Sequence, residues 1–492
     1  MTALADLFAF DATTTALGQV AGRLHWDQET MMPGGAAEQR AEEIAAMEGV
    51  LHARRQDPRI GDWIAAAKPE TAAEAARLAL LRRDYDRALR VPADLAEELA
   101  RLASRGHGVW AAARQAEDVA AFLPILTEII ARKREEGAAL ADGGDAYDAL
   151  LDGFEPGLTG AAIAEMFDRM RPRLVALKDR VLGADRTVPD IVGDFAPDAQ
   201  LALTRQVAER FGYDLGRGRI DLAVHPFSAG SGADVRITTR VDPADPFGCL
   251  YSTIHEVGHA TYEQHVDPAF GLTRLGQGAS MGVHESQSRI FENQLGRSRA
   301  FCGWLHTAMQ TAFGDFEPAD ADGFYAAVNR VHSGYIRTEA DEVHYNLHIM
   351  LRFDLERSLI AGDLEPKDLE EAWNTRFADD FGVAVDRPSN GMLQDVHWSA
   401  ALFGYFPTYT LGNVYAGCLY AALRADLPDL DAALAEGDVS AATAWLADRV
   451  QRHGSALTPR AVVRAASGVP VTEAPLLAYL DEKFDALYGV SA

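Results

Sequence analysis

A mainly α-helical protein with one small β-ribbon is the architecture this sequence predicts, and three observations carry that expectation. Long stretches rich in Ala, Leu, Glu and Arg place apolar residues at helical spacing. A single segment, residues 218–242, alternates β-branched and polar residues around a glycine-rich turn. No internal repeat, low-complexity tract or linker-like composition interrupts the chain, so its 492 residues are taken as one large domain, 1–492.

In chain order, residues 36–93 and 96–140 are helical by composition and spacing, with breaks at DGGD (142–145) and FEPGLTG (154–160). The β-ribbon, GRIDLAVHPFSAGSGADVRITTRVD, ends just before a clear helix start. There Asp245 is an N-cap and Pro246 takes the first helical position. A strand rim beside that helix is therefore expected. A further helix runs from about Ser280 to a stop at Gly296, and the C-terminal third is again helical.

Composition narrows the function. Asp and Glu outnumber Lys and Arg by 73 to 46, a formal charge of −27. A surface that acidic repels phosphate backbones and anionic lipid, which argues against nucleic-acid or membrane partners. The three cysteines are far apart and form no CxxC pair, so neither a disulfide framework nor a thiolate metal site is indicated. No signal peptide or long apolar span is visible, and a reduced, cytoplasmic setting is expected.

The stretch YSTIHEVGHATYEQH (251–265) carries the chemistry. His255 and His259 are four apart on a helix and share one face, with Glu256 beside them. In this HExxH arrangement two imidazoles bind zinc at about 2.0–2.1 Å and the glutamate handles the proton of an attacking water. The third ligand is the open question. His265 has the metzincin spacing, but that pattern needs a glycine where Tyr262 stands, to let the helix stop and turn. Glu285, in GASMGVHESQSRIFENQLG (278–296), is the better candidate, because 26 residues leave room for a turn and an antiparallel return. Two histidines and one carboxylate leave a position for water, as catalytic rather than structural zinc sites do. His284, Ser286 or Ser288 would orient the ligands. His344 and His348 form a rival pair at helical spacing, but no glutamate follows His344.

HEVGH (255–259) followed by HESQSR (284–289) resembles the carboxypeptidase Taq family of thermostable-type metallocarboxypeptidases. Other segments match in order: HWDQETMMP (25–33), YDALLDGFEPG (147–157), HPF (225–227), DVRIT (234–238), IRTEAD (336–341), GMLQDVHW (391–398) and GYFPTYTLGN (404–413). The resemblance covers residues 25 to 413 and implies a large helical zincin-type metallopeptidase with a deep active-site groove. It implies release of single C-terminal amino acids from peptides with broad specificity, and homodimers. It carries the metal ligands onto His255, His259 and Glu285 and the general base onto Glu256.

A carboxypeptidase must also grip a free α-carboxylate, a task suited to the arginine fork; Arg236, Arg337 and Arg352 are the candidates. Tyr405, Tyr409, His397 and His225 are candidates to support the oxyanion. Asp341 or Asp395 would accept the second N–H of a metal histidine. Zinc suits the donor set, and cobalt or another divalent ion would fit it too. Two other functions stay open: an endo-acting zinc oligopeptidase, and a non-catalytic zinc-stabilised peptide-binding scaffold.

Overall fold

A computed structural model describes residues 2–491. Helices dominate, and one three-stranded sheet is the whole of the named β-structure among the described residues. The mainly α expectation is borne out. The chain, taken from its sequence as a single domain, gathers into two compact units built from discontinuous segments. Unit 1 comprises Met1–Ala88, Thr187–Asn329 and Tyr415–Val471; unit 2 comprises Leu89–Arg186, Arg330–Val414 and Thr472–Ala492.

Unit 1 holds the sheet. β1 (Ile220–Leu222), β2 (Ser228–Ser231) and β3 (Asp234–Thr239) are ordered β1-β3-β2. β2 and β3 form the expected hairpin, closed by the pair Ser231–Asp234. Gly232 alone in its two-residue turn takes positive φ, +64°, as a II′-type hairpin requires. β1 instead pairs in parallel with β3, Ile220 opposite Ile237, a non-local partner that turn chemistry does not announce.

β3 packs on helix α1 (Pro246–His265), which starts where the sequence places it, the Asp245 side chain accepting from the Phe247 N–H. Cys249, Leu250, Tyr251, Ile254, Val257, Ala260 and Tyr262 are all buried. These apolar residues cover all but one face of the helix, and Ser252, His255, Glu256, His259 and Glu263 occupy the remaining one. Helix α2 (Met281–Arg289) begins at the capping Ser280, whose hydroxyl accepts from the Val283 N–H. It continues as a π-helix, Ile290–Gly296. α1 and α2 meet backbone to backbone at Gly258: a Cβ there would lie 2.5 Å from Ser288 Cα and 2.6 Å from the Gln287 carbonyl oxygen. The glycine inside the HExxH motif is therefore what lets the two helices cross so closely.

In unit 2, helix α3 (Glu342–Ala361) is capped by Asp341, whose carboxylate accepts from the Val343 and His344 N–H groups. It is buried along most of its length. Glu356, fully buried on α3, gathers three of the sequence motifs: it accepts from Tyr147 Oη at 3.1 Å, Trp398 Nε1 at 3.0 Å and the Gly404 N–H at 3.1 Å. Burial pushes its carboxyl up to about 7, against the three donors that favour the charge. A raised folded-state value means that the stabilising contribution is complete below the unfolded value, near 4.5, and is lost as pH rises through 7. At about 1.4 kcal/mol per unit the whole effect is about 3 kcal/mol. Denaturant unfolding of wild type should therefore lose stability between pH 5 and 8 relative to Glu356→Gln. Parallel pH curves for the two proteins would show that Glu356 keeps its charge when folded.

Candidate metal centre

The first turn of α1 sets the register that puts His255 and His259 on one face, and α2 crossing at Gly258 brings Glu285 opposite them. Ligand atoms of His255, His259 and Glu285 all lie within 4.8 Å of one another. Glu285 Oε2 is 3.7 Å from His255 Nε2 and 3.5 Å from His259 Nε2. The two imidazoles are nearly perpendicular, with ring centroids 4.9 Å apart. Both Nε2 atoms thus converge on one carboxylate oxygen, while both Nδ1 atoms face other side chains. Among the described residues this is the one His, Cys, Asp and Glu group so arranged. Two imidazoles and a monodentate carboxylate suit a divalent ion of zinc type.

Each donor is held from behind. Arg289, one turn beyond Glu285, donates through Nε to Glu285 Oε1 at 2.7 Å, which leaves Oε2 to face the histidines. Ser288 Oγ donates to the Glu285 backbone oxygen at 2.8 Å and lies 3.4 Å from Oε2. Burial pushes the Glu285 carboxyl up, but Arg289 and the two imidazoles outweigh it and hold the group well below the ordinary carboxylate range. His255 Nδ1 meets Glu292 Oε2 at 2.9 Å. Glu292 is braced in turn by Arg297 at 3.2 Å and Arg289 at 3.4 Å. Burial lowers both imidazoles. Glu285 and Glu292 reverse this at His255, whereas His259 falls to about 3 and stays neutral, ready to offer a lone pair. Its Nδ1 lies 2.6 Å from Nδ1 of His284.

Glu256, next to His255, is only 8 % exposed. Burial pushes its carboxyl up to about 7, the neighbouring His255 charge opposing and Glu285 reinforcing the rise. A group poised there both takes and returns a proton near neutral pH.

The chain as a whole matches a known family. The model for carboxypeptidase Taq (M32) metallopeptidases matches residues 7–484. The chain belongs to that family. It is 38% identical to thermostable carboxypeptidase 1 of Thermus thermophilus, with 98% of each chain covered, and 34% identical to carboxypeptidase 1 of Bacillus subtilis over 94% of each. The crystal structure of an M32 carboxypeptidase from Deinococcus radiodurans matches with a TM-score of 0.94 at 38% identity, covering 99% of this chain and all of that one. Trypanosoma cruzi metallocarboxypeptidase 1 gives 0.95 at 33%, covering 98% of this chain and 99% of that one. As a member of the M32 family the protein is a metallocarboxypeptidase, a peptide hydrolase that uses a divalent metal.

Several expected roles need correction for this M32 chain. Asp341 and Asp395 do not meet the Nδ1 atoms of His255 and His259, which face Glu292 and His284 instead. Asp341 instead caps α3 and meets His344 Nδ1 at 2.8 Å. His265, already the less favoured third donor, lies outside the cluster at the helix end, its Nδ1 bonded back to the Thr261 carbonyl oxygen at 2.8 Å. Ser286 touches no ligand atom of the group and donates to the Val283 carbonyl oxygen. His225 is exposed in the loop after β1. Arg236 spends its fork on Asp234, at 2.7 and 3.0 Å, and lies over the Trp26 ring. His344 and His348 are buried on α3, His348 beside Phe381 and Arg352, and neither belongs to a metal-holding group.

Unit 2 brings the remaining candidates together. Arg337 donates to Asp395 Oδ1 through Nε and Nη2, at 3.0 and 2.9 Å, and Arg352 to Oδ2 through Nε at 2.6 Å. Burial opposes the Asp395 charge, but the two guanidiniums hold its carboxyl far below the usual range. Arg337 also lies over the Tyr409 ring, and His397 Nε2 is 3.2 Å from Tyr409 Oη. Burial lowers His397 to about 4, leaving it neutral. Tyr405 packs between Phe154, His397 and Tyr409. The Arg352 side chain has no exposure at all, and that of Arg337 is 7 % exposed.

Three residues around these donors escaped sequence reasoning: Arg289, Glu292, and Glu263, whose Oε1 lies 3.0 Å from His284 Nε2. Arg289 had a signal, the acid–base pair at i,i+4 with Glu285. Glu292 had none, because its position depends on the π-helical turn.

Proposed function

We propose that the protein is a zinc-dependent carboxypeptidase that releases single C-terminal amino acids from peptides with broad specificity, with Glu256 as the general base. The observation that carries this reading is the buried carboxylate of Glu256 next to a set of three convergent donors, two imidazoles and one carboxylate. A divalent ion on His255, His259 and Glu285 would supply Lewis acidity, polarising the scissile carbonyl and making water easier to deprotonate. Glu256 takes the proton of the attacking water and returns it to the departing amine, so the proton lost by the nucleophile leaves with the released amino acid. Arg289 keeps Glu285 ionised and its Oε2 forward.

Arg337 and Arg352, which share Asp395, are the candidates for a terminal carboxylate, and Arg337 keeps the greater side-chain exposure of the two. Two guanidiniums facing one carboxylate leave that cluster with one positive charge in excess, which a peptide α-carboxylate would balance. Tyr409, Tyr405 and His397 remain the candidates to support the oxyanion. A cytoplasmic homodimer acting on peptide substrates completes the proposal. No helix among the described residues is long and apolar enough to cross a membrane.

Metal removal tests the reading. Chelator-dialysed protein should be inactive on an N-blocked peptide and should regain full turnover near one equivalent of zinc per chain, cobalt substituting in part. Full activity in the metal-free protein would overturn it.

A further inference from the structure

The two metal histidines are not supported alike. His255 Nδ1 meets the Glu292 carboxylate directly, but His259 Nδ1 meets another imidazole, that of His284, at 2.6 Å. On its far side His284 Nε2 lies 3.0 Å from Glu263 Oε1. We propose that Glu263 and His284 form a relay that fixes His259 in its metal-binding tautomer, making both of them positioning residues for metal capture.

Proton counting carries the argument. Two ring nitrogens 2.6 Å apart must share one proton. If it belonged to a neutral His284, the lone pair of His284 Nε2 would face the Glu263 carboxylate, acceptor against acceptor; an imidazolium protonated on both nitrogens would force the His259 proton onto Nε2, where a metal must bind. The carboxylate therefore draws the His284 proton to Nε2, leaves its Nδ1 as an acceptor, and obliges His259 to carry its proton on Nδ1. His259 Nε2 is then a bare lone pair aimed at the space beside Glu285 Oε2.

The surroundings are shaped for this relay. Glu263 Oε1 also accepts the Gly278 N–H at 3.1 Å, while Oε2 is buried without a hydrogen-bond partner. A buried carboxylate with one idle oxygen is costly to keep, and its bonded oxygen serves only His284 and the turn beside it. A Cβ on Gly278 would lie 2.7 Å from His284 Cδ2 and 3.0 Å from Tyr262 Cε1. The glycine thus makes room for the ring, and Tyr262 packs against it with centroids 5.1 Å apart.

The inference rests on the metal-centre reading above, so its test measures zinc alone, without peptide cleavage. Zinc affinity would be read by competition with a chromogenic chelator. His284→Leu fills the space but accepts nothing, and should weaken binding about 10- to 100-fold, the usual effect of losing an outer hydrogen-bond partner. His284→Asn offers Oδ1 near the place of Nδ1 and should stay within about threefold of wild type. A packing role would give the opposite order, because Asn is smaller than Leu. Glu263→Gln, which preserves size, should weaken binding by about threefold to tenfold by removing the charge that orders the relay. Wild-type affinity in both His284→Leu and Glu263→Gln, or equal losses in His284→Leu and His284→Asn, would overturn the proposal while leaving the metal centre intact. Absence of zinc binding by wild type would sink both.

Discussion

Glu256→Gln should lower kcat on an N-blocked peptide by about 10²- to 10⁴-fold while leaving zinc content and zinc affinity unchanged. The reason is local. Glu256 is not one of the three converging donors, and glutamine has the same shape, so the centre keeps its form. What is lost is a carboxyl that burial holds near 7, where it accepts a proton and gives it back within one turnover. KM should change little, since the group acts on water and leaving amine rather than on binding. Steady-state kinetics with metal analysis decide this. Near wild-type turnover in the zinc-loaded variant would remove Glu256 from the mechanism.

Glu285→Ala should weaken zinc binding by more than the roughly 100-fold expected for an outer partner, and abolish activity at any practical zinc concentration. It removes the carboxylate oxygen on which the two Nε2 atoms converge, and it takes one of the carboxylate partners of Arg289 from beside the two imidazoles. His265→Ala, by contrast, should bind zinc and turn over as wild type does, since the ring is bonded back to its own helix. Equal zinc loss in the two variants would mean that the ligand set is drawn wrongly.

Much of this centre is legible in the sequence because its parts are local. Asp245–Pro246 announces the start of α1, and i,i+4 spacing places both histidines on one face without any tertiary information. Ser280 marks the start of α2 and Gly296 marks the end of the segment. What the spacing hides is that the last seven residues are π-helical, since an i→i+5 ladder has no residue signature and is selected by what it packs against. That wider turn puts Glu292 behind His255, so Glu292 was not foreseen. Glu263 was missed for a related reason: on α1 it reads as one more polar helical residue, and its meaning comes from His284, twenty-one residues away. Asp341 erred in the opposite direction. Its motif drew attention to it, yet an aspartate directly before a helix is first of all an N-cap, and that is the work it does.

The family's motifs in unit 2 follow the same division. Tyr147, Trp398 and Gly404 look unrelated along the chain, but all three donate to Glu356. Segments that read as substrate-facing therefore include residues whose task is to satisfy a buried carboxylate. Arg352 is similar, a guanidinium without exposure that braces Asp395 alongside Arg337.

The most direct test of the account is to give zinc-loaded protein an N-blocked peptide as free acid and as C-terminal amide, and to follow the products by mass spectrometry. The account predicts a ladder of single-residue losses from the free acid and a sharp slowing on the amide. Internal cleavage of both peptides at similar rates would contradict it and make the protein an endo-acting oligopeptidase.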